Sequence, residues 1–193
     1  TLENSPGDLV INYVKFLRDL GINRLQIGIQ SFDQKTLDFL GRRHSVKQAL
    51  STIEASREAG FDNMGLDLIY GITGQEMKSW QNTLTQAMAF AQEHLSCYQL
   101  TLEGQTPLWI GNQKGEFDLP GENMQYEFFM KTSEWLEDSG YIHYEVSNFA
   151  RGMAFASRHN PKYWNHTPYL GLGPAAHSFS GLQRWWNHSY LDQ

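Results

Sequence analysis

Apolar residues Val10, Tyr13, Val14, Leu17 and Leu20 recur at helical spacing after Asp8, which reads as an N-cap, and Gly21 supplies a stop. The short run NRLQIGIQ follows, apolar and closed by the polar Gln30. Helical patterns resume over residues 33–40 and 46–59, then NMGLDLIYG intervenes. Another helical pattern, 76–92, precedes LSCYQLTLE, and a last one, 122–138, precedes YIHYEVSNFA. Strand and helix alternate at roughly 30 to 45 residues per unit, which predicts βα crossovers and a buried parallel sheet, an open or partial barrel of the α/β class. Beyond residue 150 the periodicity gives way to a loop-rich aromatic tail, so the chain is expected to divide into a barrel part, 1–150, and an extension, 151–193.

Each predicted strand carries a polar group at or near its C-terminal end: Glu3, Gln30, Asp67, Gln99 with Glu103, and Glu145. In βα barrels that rim holds the ligand, so these side chains are expected to converge on one cavity. Singly, each could equally be a solvated rim residue or a helix cap. In GIQSFDQKTLDFLGRRH, Arg42 and His44 return one short helix after Gln30. A strand-end amide and an arginine over the same rim can grip hydroxyls and a carboxylate, which predicts an anionic or zwitterionic ligand. Taken alone, Arg42 reads as a helix-end cation.

Composition narrows the field. With 193 residues, 40% hydrophobic, the chain is long enough for one sizeable core. A net charge of −6 leaves no basic stripe for phosphates, which argues against nucleic acid as a partner. The single Cys97 excludes an internal disulfide and a cysteine-rich zinc site, reads as a small buried hydrophobe, and suits a reducing cytoplasm. No apolar run reaches membrane-spanning length. The opening TLENSPGDL carries no secretory signal and reads as an internal start.

The stretch SRHNPKYWNHTPYLGLGPAAHSF places His159, His166 and His177 among aromatic rings. Neutral imidazole can ligate heme iron and aromatic rings can pack on a porphyrin face. The residues alone are read more simply, with His159 bonded to a backbone carbonyl and Tyr163 and Trp164 closing the open end of the barrel. Gly171 and Gly173 indicate a tight turn, since no helix fingerprint follows them, and His143 and His188 read as surface or core residues.

The motifs TLENSPG, NRLQIGIQSF, LGRRH, GLDLIYGITGQ, CYQLTLEGQTPL, YEVSNFA, RHNPKYW and GLGPAAHSF, in this order, resemble those of the radical SAM heme chaperone HemW family. That family is itself similar to oxygen-independent coproporphyrinogen III oxidase. The resemblance implies a partial (βα)6 radical SAM barrel truncated on its N-terminal side, with S-adenosylmethionine (SAM), a [4Fe-4S] cluster and heme as ligands and a heme-accepting protein as partner. It assigns SAM binding to Glu3, Gln30, Arg42 and Asp67. Heme binding falls on the HNxxYW residues His159, Asn160, Tyr163 and Trp164, with His159 as the iron ligand and His177 as a second candidate. The family's CxxxCxxC cluster motif is missing, as is the tyrosine and glycine-rich SAM segment before Glu3, so the chain is expected to be a fragment that keeps one wall of the SAM site.

Three functions follow as expectations. One is a heme chaperone that binds and delivers heme. A second is radical decarboxylation of the propionates of coproporphyrinogen III. The third is an inert barrel portion. The HNxxYW motif favours the first over the second, because a porphyrinogen carries no iron and needs no axial histidine.

Overall fold

In the computed structural model, residues 1–7 and 10–190 are described, so the expected N-cap Asp8 lies outside them. The chain divides into two compact units, Thr1–Ala156 and a second beginning at Ser157.

The first unit holds a six-stranded sheet. Strands β1 (Leu2–Asn4), β2 (Leu25–Gln30), β3 (Met64–Tyr70) and β4 (His94–Gln99) run parallel, each paired with the next. Between them run helices α1 (Ile11–Asp19), α2 (Gln34–Phe39), α3 (Val46–Glu58) and α4 (Met77–Ala89). This is the expected open α/β arrangement. After β4 come α5 (Pro107–Gln113) and α6 (Glu122–Asp138), followed by β5 (Ile142–Glu145) and β6 (Asn148–Ala150).

Residues 142–150 are therefore a hairpin and not one parallel strand. β6 pairs antiparallel with β4, and β5 closes the sheet antiparallel to β6. Glu145 makes the turn: its Oε1 accepts from the Ser147 N–H at 3.0 Å and from the Asn148 amide. A carboxylate that satisfies turn donors two and three residues on folds the chain back before a long strand can form.

One face of the sheet is the core. Leu25, Ile27 and Ile29 of β2, Leu66 and Leu68 of β3, and Leu95 and Cys97 of β4 pack with Val14, Ile53, Trp80, Leu84 and Phe128 from the helices. The alternation along NRLQIGIQ matches the two-residue period of a strand and sends Gln26, Gly28 and Gln30 to the opposite face. Cys97 is buried, as expected, and burial raises its thiol pKa, which keeps it protonated.

The helix ends follow local chemistry. Asp33 caps α2 by accepting from the Thr36 N–H, and Ser45 with Gln48 forms a reciprocal capping box on α3. Helix α1 begins instead at Val10, without a side-chain cap. Helix α5 is not foreseen by the apolar periodicity, yet its Thr106 cap followed by Pro107 is a start signal. No helix among the described residues is long and apolar enough to cross a membrane.

In the second unit, the loop-rich segment carries short elements, α7 (Asn160–Trp164) and a hairpin of β7 (His177–Phe179) with β8 (Arg184–Trp186). Helix α7 starts at Asn160–Pro161, where a proline costs nothing in the first turn. The glycines of GLGPAAH serve close approach and a turn. A Cβ on Gly171 would sit 2.2 Å from the His177 carbonyl oxygen, and Gly173 has a φ of +98°.

Candidate functional site

The polar face of the sheet is built around Asp67. The Gln26 amide Nε2 donates to its Oδ1 at 2.7 Å and is also 3.2 Å from Ser96 Oγ. Gly65 makes that arrangement possible, because a Cβ there would fall 2.0 Å from Gln26 Oε1. Burial raises the Asp67 pKa above the usual carboxylate value; hydrogen bonds from Gln26 and Ser96 partly offset this, the Glu3 charge adds to it, and Arg24 opposes it.

Gln30, Arg42 and Asp67 line one cavity of about 650 Å³, together with Tyr98, Gln99, Thr101 and Glu103. That volume lies within the range of roughly 300 to 1,000 Å³ typical of small-molecule sites. Gln30 arrives from the C-terminal end of β2, Asp67 from the middle of β3, and Arg42 from the loop after α2, whose backbone is fixed by the Arg42 N–H donating to Leu37 O at 2.9 Å. Carboxylate, amide and guanidinium thus face a common space in which a zwitterion can meet all three.

Glu3 does not line this cavity. It is solvent-exposed on β1, in register with Gln26, and acts on Asp67 through its charge. Glu145, expected at the same rim, is committed to the β5–β6 turn instead.

A second buried polar group escaped the sequence reading. His94, 1% exposed at the start of β4, places Nε2 2.7 Å from the Tyr144 hydroxyl, while its Nδ1 has no hydrogen-bond partner. Burial, with help from the Arg24 charge, pushes its pKa down to about 3. Arg24 in turn donates from Nη1 to the Phe155 carbonyl at 2.9 Å. The period-two spacing of Arg24, Gln26 and Gln30 carried the signal for this face, but it was obscured by the apolar residues between them.

In the second unit, His159 immediately precedes α7 and Tyr163 lies on it four residues later, with His159 Nε2 2.8 Å from the Tyr163 hydroxyl and the rings edge-on at 5.0 Å. His159 is therefore not bonded to a backbone carbonyl through Nε2, as the simpler reading had it. Tyr163 continues edge-on to Tyr169 at 4.8 Å. Asn160 begins the helix and Trp164 ends it, more than half exposed. His177 is exposed on β7, with its ring 5.8 Å from that of Trp186.

Comparison with known proteins bears on the segment that holds the first of these sites. The profile of the radical SAM superfamily matches residues 1–87, which contain Gln30, Arg42 and Asp67. Heme chaperone HemW of Bacillus subtilis is 36% identical over 183 residues, covering 95% of this chain and 48% of that protein. Radical S-adenosyl methionine domain-containing protein 1, mitochondrial, of Mus musculus is 41% identical over 177 residues, covering 92% of this chain and 40% of that protein. The chain spans about half the length of the curated relatives it matches. The structure of coproporphyrinogen III oxidase (HemN) from Escherichia coli superposes with a TM-score of 0.77 over 99% of this chain and 46% of that one; at 22% identity this establishes the shared fold.

The radical SAM domain implies SAM and a [4Fe-4S] cluster, and the two fit this chain differently. The cavity's polar groups suit SAM. For the cluster, the one cysteine is buried and protonated, and no group of three or more His, Cys, Asp or Glu side chains among the described residues could hold a metal ion. The described residues do not fit the cluster.

Proposed function

We propose that this chain forms one wall of a SAM-binding cavity and carries a heme-binding segment in a protein that binds heme and delivers it to an acceptor. The observation that carries the SAM part is the meeting of Gln30, Arg42 and Asp67 in one cavity of about 650 Å³ within a radical SAM domain. When bound, SAM supplies a sulfonium centre at which reductive cleavage can occur. Arg42 grips its carboxylate, Asp67 faces its cationic groups, and Gln30 takes a hydroxyl or the carboxylate. Glu3 contributes a neighbouring negative charge at the edge of the site.

The heme part is supported by relatives named heme chaperone HemW, which align with 95% and 99% of this chain. In this reading His159 ligates the iron, Tyr163 and Trp164 pack against the porphyrin, Asn160 holds the helix start, and His177 is the alternative ligand. The acceptor is a heme-binding protein, and the working compartment is the cytoplasm. Decarboxylation of coproporphyrinogen III is favoured only by the shared fold.

Calorimetry with SAM tests the first part. Asp67→Ala should weaken binding by about 1 to 3 kcal/mol, the usual loss of a charged hydrogen-bonding partner. An unchanged dissociation constant removes Asp67 from the site. Heme titration tests the second: a Soret shift on binding, without consumption of coproporphyrinogen III, favours the chaperone over the oxidase.

A further inference from the structure

The strand end that presents Gln30 has an uncommon backbone. Gln30 has a φ of +68°, and the Ser31 N–H donates to the Ile29 carbonyl at 2.9 Å, which closes a three-residue turn around it. The positive-φ form of this turn is rare and strained, and for a residue bearing a side chain it persists only where its surroundings hold it. The register between β2 and β3 shifts at this place, between Ile27 and Gln30.

Two neighbours hold the turn. Gly28 leaves space for the Gln30 amide to fold back, since a Cβ there would lie 2.7 Å from Gln30 Nε2. His44, 5% exposed, donates from Nε2 to the Ile29 carbonyl at 3.0 Å. That oxygen therefore takes two donors, one from the turn itself and one from the returning loop. Burial lowers the imidazole pKa, the hydrogen bond to Ile29 acts against this, and the nearby Arg42 charge adds to the lowering. His44 stands two residues after Arg42, in the segment that also brings the guanidinium to the cavity.

We propose that His44 is a positioning residue: its hydrogen bond to Ile29 fixes the turn that aims Gln30 and ties the Arg42 loop to β2, setting the spacing of amide and guanidinium across the cavity. The identity of the ligand rests on the SAM reading above, whereas the coupling of the loop to the turn does not. Ligands whose hydroxyl or carboxylate oxygens match that spacing meet two donors already in place.

The experiment compares the full chain with His44→Leu, which fills the space without a donor, and His44→Gln, which restores an N–H. Asp67→Ala is carried alongside. Amide hydrogen exchange at Gln30 and Ser31 reads the turn directly, and calorimetry reads SAM affinity. In His44→Leu, exchange at Ser31 is expected to accelerate and SAM affinity to fall, each by about tenfold, with far-UV circular dichroism unchanged, and His44→Gln should recover both. Wild-type exchange and affinity in His44→Leu would overturn the proposal, as would a His44→Gln variant that behaves like His44→Leu. Faster exchange at Ser31 together with SAM binding that Asp67→Ala leaves unmoved supports the positioning role and overturns the SAM reading instead. Should His44→Leu fail to fold, His44→Gln decides: wild-type values support the proposal and a loss of either overturns it.

Discussion

Gln26 and Asp67 face each other across β2 and β3, the amide donating to the carboxylate at 2.7 Å over the space that Gly65 leaves open. Burial raises the Asp67 pKa, and the hydrogen bond from Gln26 works against that rise.

Asp67 is therefore expected to trade stability for binding. Its folded pKa is raised above the unfolded value, so its contribution to stability is fully present below the unfolded pKa and is lost as pH rises through the folded pKa. Asp67→Asn keeps an oxygen for Gln26 and removes the buried charge. Thermal melts should show a higher midpoint than wild type at neutral pH, with the advantage vanishing under acid conditions, while SAM affinity falls. A variant no more stable at neutral pH would contradict the assigned cost of burial.

His94 should sensitise the fold to acid. Its folded pKa, about 3, lies below the unfolded value, so its contribution to stability is present above the unfolded pKa and is lost as pH falls toward the folded one. From about pH 7 to about pH 5 that amounts to roughly 2 kcal/mol, taking an unfolded value of about 6.5. Urea unfolding at the two pH values measures it, and His94→Gln should flatten the slope. An equally steep slope in the variant would assign the effect to other groups.

Trp80 is fully buried, and its indole N–H donates to Thr132 Oγ1 at 2.7 Å, while that hydroxyl donates to the Phe128 carbonyl at 2.6 Å. The contact joins α4 to α6. Trp80→Phe leaves the Thr132 oxygen without its donor and opens a void, for an expected loss of about 2 to 4 kcal/mol by chemical denaturation. A loss below about 0.5 kcal/mol would mean that the core closes over the change.

In the second unit, the proposed heme ligation by His159 would set the iron against the Tyr163 hydroxyl for the same nitrogen. If the iron bonds to His159 Nε2, the Tyr163 hydroxyl, 2.8 Å away, must give way. His159→Ala should abolish the Soret shift with far-UV circular dichroism unchanged, whereas Tyr163→Phe should retain it and bind heme at least as tightly. Loss of the shift in His177→Ala, with His159→Ala unaffected, would transfer the ligand role to β7.

The order of elements in the first unit was legible because amphipathic periodicity is local. Spacings such as Val14 with Leu17 name the buried face of a helix before any partner is known, and Leu25, Ile27 and Ile29 do the same for a strand. The residues of the cavity were also legible one by one, as polar groups at strand ends. Their convergence on one cavity was expected from the barrel rule, but which of them would join it was not. Whether Gln30, Arg42 and Asp67 meet while Glu3 stays at the edge depends on strand register and loop return, which no local pattern encodes. The hairpin at β5–β6 escaped for a related reason, since its turn is written in the hydrogen bonds of Glu145 and not in a glycine or proline. By itself the sequence determined which residues want burial and which carry chemistry. Only the tertiary structure decided which of those groups share a cavity, that Gln30 sits in a strained turn held by His44, and that His94 is buried and neutral, because each depends on distances between segments far apart in the chain.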